Sequence, residues 1–311
     1  MKVLVTGGAG FIGSHIVDAL VEDGHNVVIV DDLSRGSEDN LNPKATFYSQ
    51  DIRDGTLYTV FEGERPEAVF HYAAQSSVSV STRRPVLDAE VNILGSLNLL
   101  HCCAIYGVRR FVYAASGGTL AGAARYSPID EEHPKSPRSP YGVSKLTVEY
   151  YLDVFAATHG LSGITLRYGN VYGPRQDPYG EAGVIAIFTG QMLRGEPVTV
   201  HHTGEQEKDY VYVGDVVAAN LIALSSSATG AYNIASGKAT SVNELYRHLA
   251  ELTGYRQAPL HGPQREGDVE FCLDIRKAEA ELGWRPTVGL EEGLRRTVEF
   301  YRAEQDASRS S

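Results

Sequence analysis

Residues 6–14 read T-G-G-A-G-F-I-G-S, directly behind the apolar run Met1–Thr6. No other feature limits the fold of this chain so strongly. A short apolar run suits a strand buried inside a parallel sheet. Gly7, Gly10 and Gly13 permit a tight turn, close approach of backbone to a pyrophosphate, and tight packing of the following helix on the strand. The helix that opens at Phe11 and Ile12 would aim its free amides at negative phosphates. A glycine turn alone is equally a structural turn. Here it opens a βαβ unit, and Asp31 closes the next apolar run, Asn26–Val30. A carboxylate about 20 residues past the turn is placed to accept from adenosine ribose hydroxyls. It would repel a 2′-phosphate, so the motif favours NAD over NADP, with Arg35 as a partial offset.

Further strand candidates are Ala68–His71, Arg110–Ala115 and Gly163–Tyr168; helical stretches are Ser14–Glu22, Val86–Tyr106 and Ser139–His159. The alternation predicts an α/β fold: a Rossmann-type doubly wound parallel sheet. Past Gly169 the pattern changes. This predicts an NAD-binding domain over residues 1–169, with return segments near 208–235 (Tyr210–Val216 and Ala231–Ile234). A smaller C-terminal α/β substrate domain would take 170–207 and 236–311. The net charge of −11 argues against nucleic-acid binding, because a phosphate backbone would be repelled. Three cysteines, Cys102, Cys103 and Cys272, lack metal-ligand spacing and fit a reducing cytoplasm. No signal peptide and no apolar stretch long enough to span a membrane is expected, and no metal site.

Tyr141 and Lys145 lie four residues apart in P-Y-G-V-S-K, on one face of a helix. An ammonium and an oxidised nicotinamide nearby would lower the phenol toward neutrality. The phenolate could then take a hydroxyl proton while hydride leaves carbon. The same spacing is also that of an ordinary surface pair. The strand Tyr113–Ser116 upstream supplies the context, with Ser116 at its carboxyl end, where open α/β sheets place ligands. Ser116 is either a substrate-holding hydroxyl or a turn serine.

With these motifs the chain resembles the extended short-chain dehydrogenase/reductases, in particular their UDP-glucose 4-epimerases, over nearly its whole length. T-G-G-A-G-F-I-G-S-H at 6–15 is similar to the family's N-terminal motif. D-D-L-S-R-G at 31–36 resembles its ribose loop and D-I-R-D at 51–54 its adenine segment. H-Y-A-A-Q at 71–75 and N-I-L-G-S-L-N-L-L at 92–100 also match, as do R-Y-G-N-V-Y-G-P-R at 167–175, K-D-Y-V-Y-V-G-D-V at 208–216 and Y-N-I-A-S-G at 232–237. R-E-G-D at 265–268 and L-G-W-R-P at 282–286 complete the order. The resemblance implies NAD contacts from Asp32, Ser34, Gly36, Asp51, Ile52, Tyr72, Ala73, Ala74, Gln75, Asn92 and Tyr168, besides the glycine turn, Asp31, Tyr141 and Lys145. It implies a UDP-sugar held by Ser116, Tyr141, Asn170, His201, Lys208, Arg265, Asp268 and Cys272, and a homodimer formed through Val86–Tyr106 and Ser139–His159.

The implied reaction is C4 epimerisation through a 4-keto sugar with retained NAD. The acid that dehydratases of this family carry after the catalytic serine is missing from S-G-G-T-L at 116–120. Cys272 stands where the family places a gate beside the sugar. A small residue there leaves space for an N-acetyl group, although Cys272 could equally be a buried small side chain. Where the family usually has Tyr, Arg, Asn, Lys and an aromatic ring, this chain has Ala121, Lys208, Asp32, Ser76 and His201. Lys208 keeps the charge but loses the bidentate fork. Another sugar-nucleotide epimerase, such as one acting on UDP-glucuronate, and a non-catalytic NAD-binding protein remain as alternatives.

Overall fold

The computed structural model describes residues 1–179, 183–263 and 270–310, with side chains to residue 307. The first half alternates strands and helices: β1 (Lys2–Thr6), α1 (Phe11–Glu22), β2 (Asn26–Asp31), β3 (Thr46–Ser49), α2 (Leu57–Glu64) and β4 (Ala68–His71). There follow α3 (Val78–Arg83), α4 (Pro85–Ala89), a π-helical stretch (Glu90–Gly95), α5 (Ser96–Tyr106), β5 (Arg110–Ser116), α6 (Gly117–Ala121), α7 (Pro140–His159) and β6 (Ser162–Tyr168). The expected helix Val86–Tyr106 is thus α4 and α5 joined through one wide turn. Beyond it come β7 (Asn170–Tyr172), α8 (Val184–Arg194), β8 (Thr199–His201), β9 (Glu207–Tyr212), α9 (Val213–Ser225) and β10 (Gly230–Ile234). The last elements are β11 (Ala239–Ser241), α10 (Val242–Thr253), β12 (Leu260–Gly262) and α11 (Leu290–Ser310).

Seven strands form one sheet in the order β3-β2-β1-β4-β5-β6-β10, every neighbouring pair parallel. Alternate side chains along a strand face opposite sides, and both sides are covered. Val3, Val5, Phe70 and Val112 meet Ile16 and Leu20 of α1 and Val216 of α9 on one face. Leu4, Val69, Phe111 and Tyr113 meet Leu99 and Leu100 of α5 and Val148 of α7 on the other. Burial on both faces explains why these strands are continuously apolar.

The apolar run Tyr210–Val216 spans two elements. Its first part ends β9, which lies in a separate sheet of order β11-β9-β7; its second part opens α9, which packs on α1. Ala231–Ile234 lies in the edge strand β10 beside β6. A third core under α8, α10 and α11 gathers Tyr172, Phe188, Leu245, Leu294 and Val298. Among the described residues, no helix is long and apolar enough to cross a membrane.

Candidate active site

The glycine turn lies at the carboxyl end of β1 and is built around backbone contacts that no side chain could share. A Cβ on Gly7 would stand 2.5 Å from the Ala73 amide nitrogen, and one on Gly13 2.1 Å from the Gly7 carbonyl. Gly7 also adopts φ +69°, the left-handed region that favours glycine. The first helical bond of α1 runs from the Ser14 amide to the Gly10 carbonyl at 3.0 Å. The amides of Phe11, Ile12 and Gly13 therefore have no intrahelical acceptor, and Gly10 has no side chain to cap them. This cradle fits a dinucleotide pyrophosphate.

Asp31 is buried at the end of β2. One carboxylate oxygen accepts from the Ala9 amide and the other from the Leu33 amide, both at 2.9 Å. Burial pushes this carboxyl up from its ordinary value, opposed by the two amides. Each oxygen keeps a second lone pair for a ribose hydroxyl. The following loop folds back on the turn: a Cβ on Gly36 would stand 2.7 Å from that of Ala9, and the Ser37 amide donates to the Ala9 carbonyl at 3.1 Å. Asp32 is turned outward and accepts from the Ser34 amide at 2.9 Å. Asp51 is gripped by the Arg53 guanidinium, with Nε at 2.9 and 3.0 Å from its two oxygens, and Ile52 packs beneath it.

The ends of β4, β5 and β6 complete the rim. Tyr72 and Tyr168 share their hydroxyls at 2.9 Å, and both meet Asn220 of α9, whose Oδ1 accepts from Tyr72 at 2.5 Å. Ala73 donates its amide to Thr6 Oγ1 at 3.2 Å, and Ala74 follows it. Gln75 and Asn92 exchange amide hydrogen bonds at 2.9 Å in both directions.

Ser139 caps α7, accepting from the Gly142 amide at 3.2 Å, with Pro140 in the first turn. Tyr141 and Lys145 then share the face turned to β5. The ammonium of Lys145 is buried, donates to the Ala114 carbonyl at 3.0 Å, and stands 5.8 Å from the Tyr141 ring centre. Ser116 ends β5 in register with Tyr168. The chain's own groups hold Tyr141 above its ordinary value, through burial and the Asp88 charge. Lys145 spends its hydrogen bond on Ala114, and burial brings it down to about 8, against the pull of Asp88. The neighbouring ammonium alone therefore does not lower the phenol.

On the substrate side, Asn170 pairs with Tyr210 across β7 and β9, and Lys208 of β9 is bridged to Phe271. Phe271 closes on Gly118, where a Cβ would stand 2.5 Å from its ring, and Leu273 closes on Gly117 at 2.4 Å. The S-G-G segment and the Cys272 strand are thereby brought together. The half-buried Cys272 thiol points to Asp209 Oδ2 at 3.8 Å, and burial with Asp209 pushes it up to about 11. His201 belongs to the separate β8–β12 pair, with Nδ1 3.0 Å from the Pro263 carbonyl. Arg265 and Asp268 lie outside the described residues. Sequence reasoning missed Asp88 and Asn220; Thr119, set behind Ser116 because of the 25-residue spacing from Ser116 to Tyr141, has a buried Oγ1 without a hydrogen-bond partner among the described residues. Asp88 stands four residues before Asn92, a helical spacing that could have flagged it.

Residues 3–235 match the NAD dependent epimerase/dehydratase family. The crystal structure of the Thermotoga maritima UDP-glucose 4-epimerase with UDP-glucose superposes with a TM-score of 0.97 at 51% identity, covering 98% of this chain and 100% of that one. The Thermus thermophilus UDP-glucose 4-epimerase in complex with NAD gives a TM-score of 0.92 at 45% identity, covering 97% and 99%. The UDP-glucose 4-epimerase of Mycolicibacterium smegmatis is 41% identical over 309 residues, 97% of this chain and 99% of that protein.

Proposed function

The chain belongs to the NAD dependent epimerase/dehydratase family, and from that premise we propose that it interconverts UDP-glucose and UDP-galactose at C4. The observation that carries this reading is the convergence of Ser116, Tyr141 and Lys145 at the carboxyl ends of the strands whose first turn forms the phosphate cradle. Bound NAD would supply a reversible hydride acceptor for C4. Ser116 holds the C4 oxygen, and Tyr141 takes its proton once the positive nicotinamide adds to the charge of Lys145. The resulting 4-keto sugar, tethered by its UDP, presents its other face, and Tyr141 returns the proton. Residues 1–169, with the return segments near 208–235, hold the cofactor; residues 170–207 and 236–311 hold the UDP-sugar. Asn170, His201, Lys208, Arg265 and Asp268 are its nucleotide contacts.

The small side chain at Cys272 admits the N-acetyl pair, UDP-GlcNAc and UDP-GalNAc, as further substrates. Exposed Val86, Leu94 and Ile105 on one helical stretch, and Val143, Tyr150 and Val154 on α7, support a homodimer through these helices. Three free cysteines fit the reducing conditions of the cytoplasm, and turnover of UDP-galactose would place the chain in galactose metabolism.

The test is incubation of the purified protein with UDP-galactose, without added NAD, followed by NMR. UDP-glucose is the expected product. Failure on UDP-galactose and UDP-GalNAc, even after NAD is added, overturns the reading. With UDP-GalNAc turned over, Cys272→Tyr is expected to suppress it while sparing UDP-galactose.

A further inference from the structure

Asp88 is a carboxylate with no exposed surface, on the short helix α4. Its Oδ1 accepts from Gln75 Nε2 at 2.8 Å and Asn92 Nδ2 at 2.9 Å, and its Oδ2 from Ser144 Oγ at 2.6 Å. The two amides cannot turn round. Gln75 Oε1 accepts from the Ser77 amide at 2.6 Å and Asn92 Oδ1 from the Gln75 amide at 2.9 Å, so both present N–H groups to Asp88. Both oxygens of the Asp88 carboxylate are thus engaged inside the protein, Oδ1 by two amides and Oδ2 by the Ser144 hydroxyl. A charge so far from water needs a counter-charge. Ser144 adjoins Lys145, itself buried with one hydrogen bond, to the Ala114 carbonyl.

Asp88 and Lys145 are not in direct contact, and the other ionisable groups around them are neutral or matched elsewhere. Tyr113 of β5 and Tyr141 of α7 are phenols held protonated by burial. His71 of β4 is kept neutral, brought down to about 3 by burial and then by Lys145. Glu149, one turn further along α7, is matched by Arg167 of β6 at 2.7 Å. Arg83, Arg84 and Glu90 at the ends of α4 lie at the surface.

We propose that Asp88 is a positioning residue of the proton-transfer site: it is the buried counter-ion that keeps Lys145 charged, and through Ser144 it fixes the turn of α7 that carries Tyr141 and Lys145. The proposal rests on the epimerase reading for its kinetic consequence, though not for its electrostatic one. A negative charge at this place favours the protonated form of both neighbours, Tyr141 and Lys145, and pulls each upward. Removing the charge therefore eases proton loss from both groups.

Asp88→Asn tests the charge alone. The new carbonyl can still accept from Gln75 and Asn92, while the new amide donates to Ser144 Oγ. The whole pH profile of kcat, acid and alkaline limbs together, is expected to move to lower pH by roughly one unit. Bound NAD and the KM for UDP-galactose stay as in the wild type. A uniform loss at every pH, with the limbs in place, overturns the proposal.

The second measurement needs no activity, so it separates this proposal from the substrate assignment. Lys145→Met strands the Asp88 charge. Adding Asp88→Asn to that variant is expected to raise the melting temperature by about 2–4 °C. An unchanged or lower melting temperature in the double variant overturns the counter-ion role, whatever the enzyme turns over.

Discussion

Gly13→Ala separates a glycine chosen for contact from one chosen for flexibility. The added methyl would stand 2.1 Å from the Gly7 carbonyl oxygen, 2.8 Å from its carbon and 3.0 Å from the Gly8 Cα. Carbon contacts shorter than 3.0 Å are essentially absent from proteins, so the first turn of α1 and the Gly7 peptide must part by about 0.9 Å. The Gly7 peptide cannot yield. Its amide donates to the Val30 carbonyl at 2.9 Å, and its carbonyl accepts from the Gly10 amide at 3.1 Å. The helix must therefore tilt away from β1, and the amides of Phe11, Ile12 and Gly13 leave the cradle with it. Overpacking of this kind costs about 1–3 kcal/mol, and each kcal/mol lowers the melting temperature by roughly 1.5 °C in a chain of this size. NAD affinity is expected to fall by a factor of about ten or more, one factor for each 1.4 kcal/mol of lost contact. The assay is the NAD content of the purified variant, with melting curves in the presence and absence of added NAD. Gly63→Ala in α2 is the control: nothing lies within 4 Å of the new methyl, and alanine favours a helix over glycine by about 0.5–1 kcal/mol. A Gly13→Ala protein with wild-type NAD content and melting temperature would refute the reasoning.

Tyr141→Phe is expected to lower kcat by roughly 10²–10⁴-fold with NAD content unchanged, because only the proton carrier is removed; steady-state rates and cofactor absorbance check both halves. His71 gives an acid-stability prediction. Burial and Lys145 hold it at about 3, against about 6.5 when unfolded, so its contribution is present above pH 6.5 and lost as pH falls toward 3. The melting temperature of His71→Gln is therefore expected to fall less steeply than the wild type's between about pH 6.5 and 4. Arg167→Met leaves the buried Glu149 carboxylate without its partner and is expected to cost about 3–5 kcal/mol in denaturant unfolding. A loss under 1 kcal/mol would mean that Glu149 finds another donor.

The sheet was legible because its strands are buried on both faces and its first turn has a chemical reason. Ala68–His71 keeps its sequence bounds, and Arg110–Ala115 gains only Ser116. The small sheets were not legible. β7, β8, β11 and β12 have three residues each, too short for alternation to show. Their pairings join distant parts of the chain: Asn170 with Tyr210, and Leu260 with Thr199. Across the run Tyr210–Val216 apolar content persists while the backbone turns from strand to helix at Val213, so composition alone does not divide it. The turn is anchored from far away, by Asp215 accepting from the Thr287 and Val288 amides at 2.9 and 3.1 Å.

In the site, the sequence carries what spacing carries. Tyr141 and Lys145 share a face because they are four apart on one helix, and Gly7, Gly10 and Gly13 share a turn because that turn is local. Charge balance is not local. Tyr141 was expected to be lowered by the ammonium and an oxidised nicotinamide together, a reading that did not include the carboxylate 57 residues before Lys145, which pulls the other way. The fold brings Asp88 under Ser144, turns Lys145 toward Ala114, and leaves the phenol protonated until another positive charge arrives. In the proposed reaction an oxidised nicotinamide seated beside Tyr141 would supply that charge. That coupling has the sign of simple electrostatics: burial first, and then Asp88, hold the proton on Tyr141, and an added positive charge works against both.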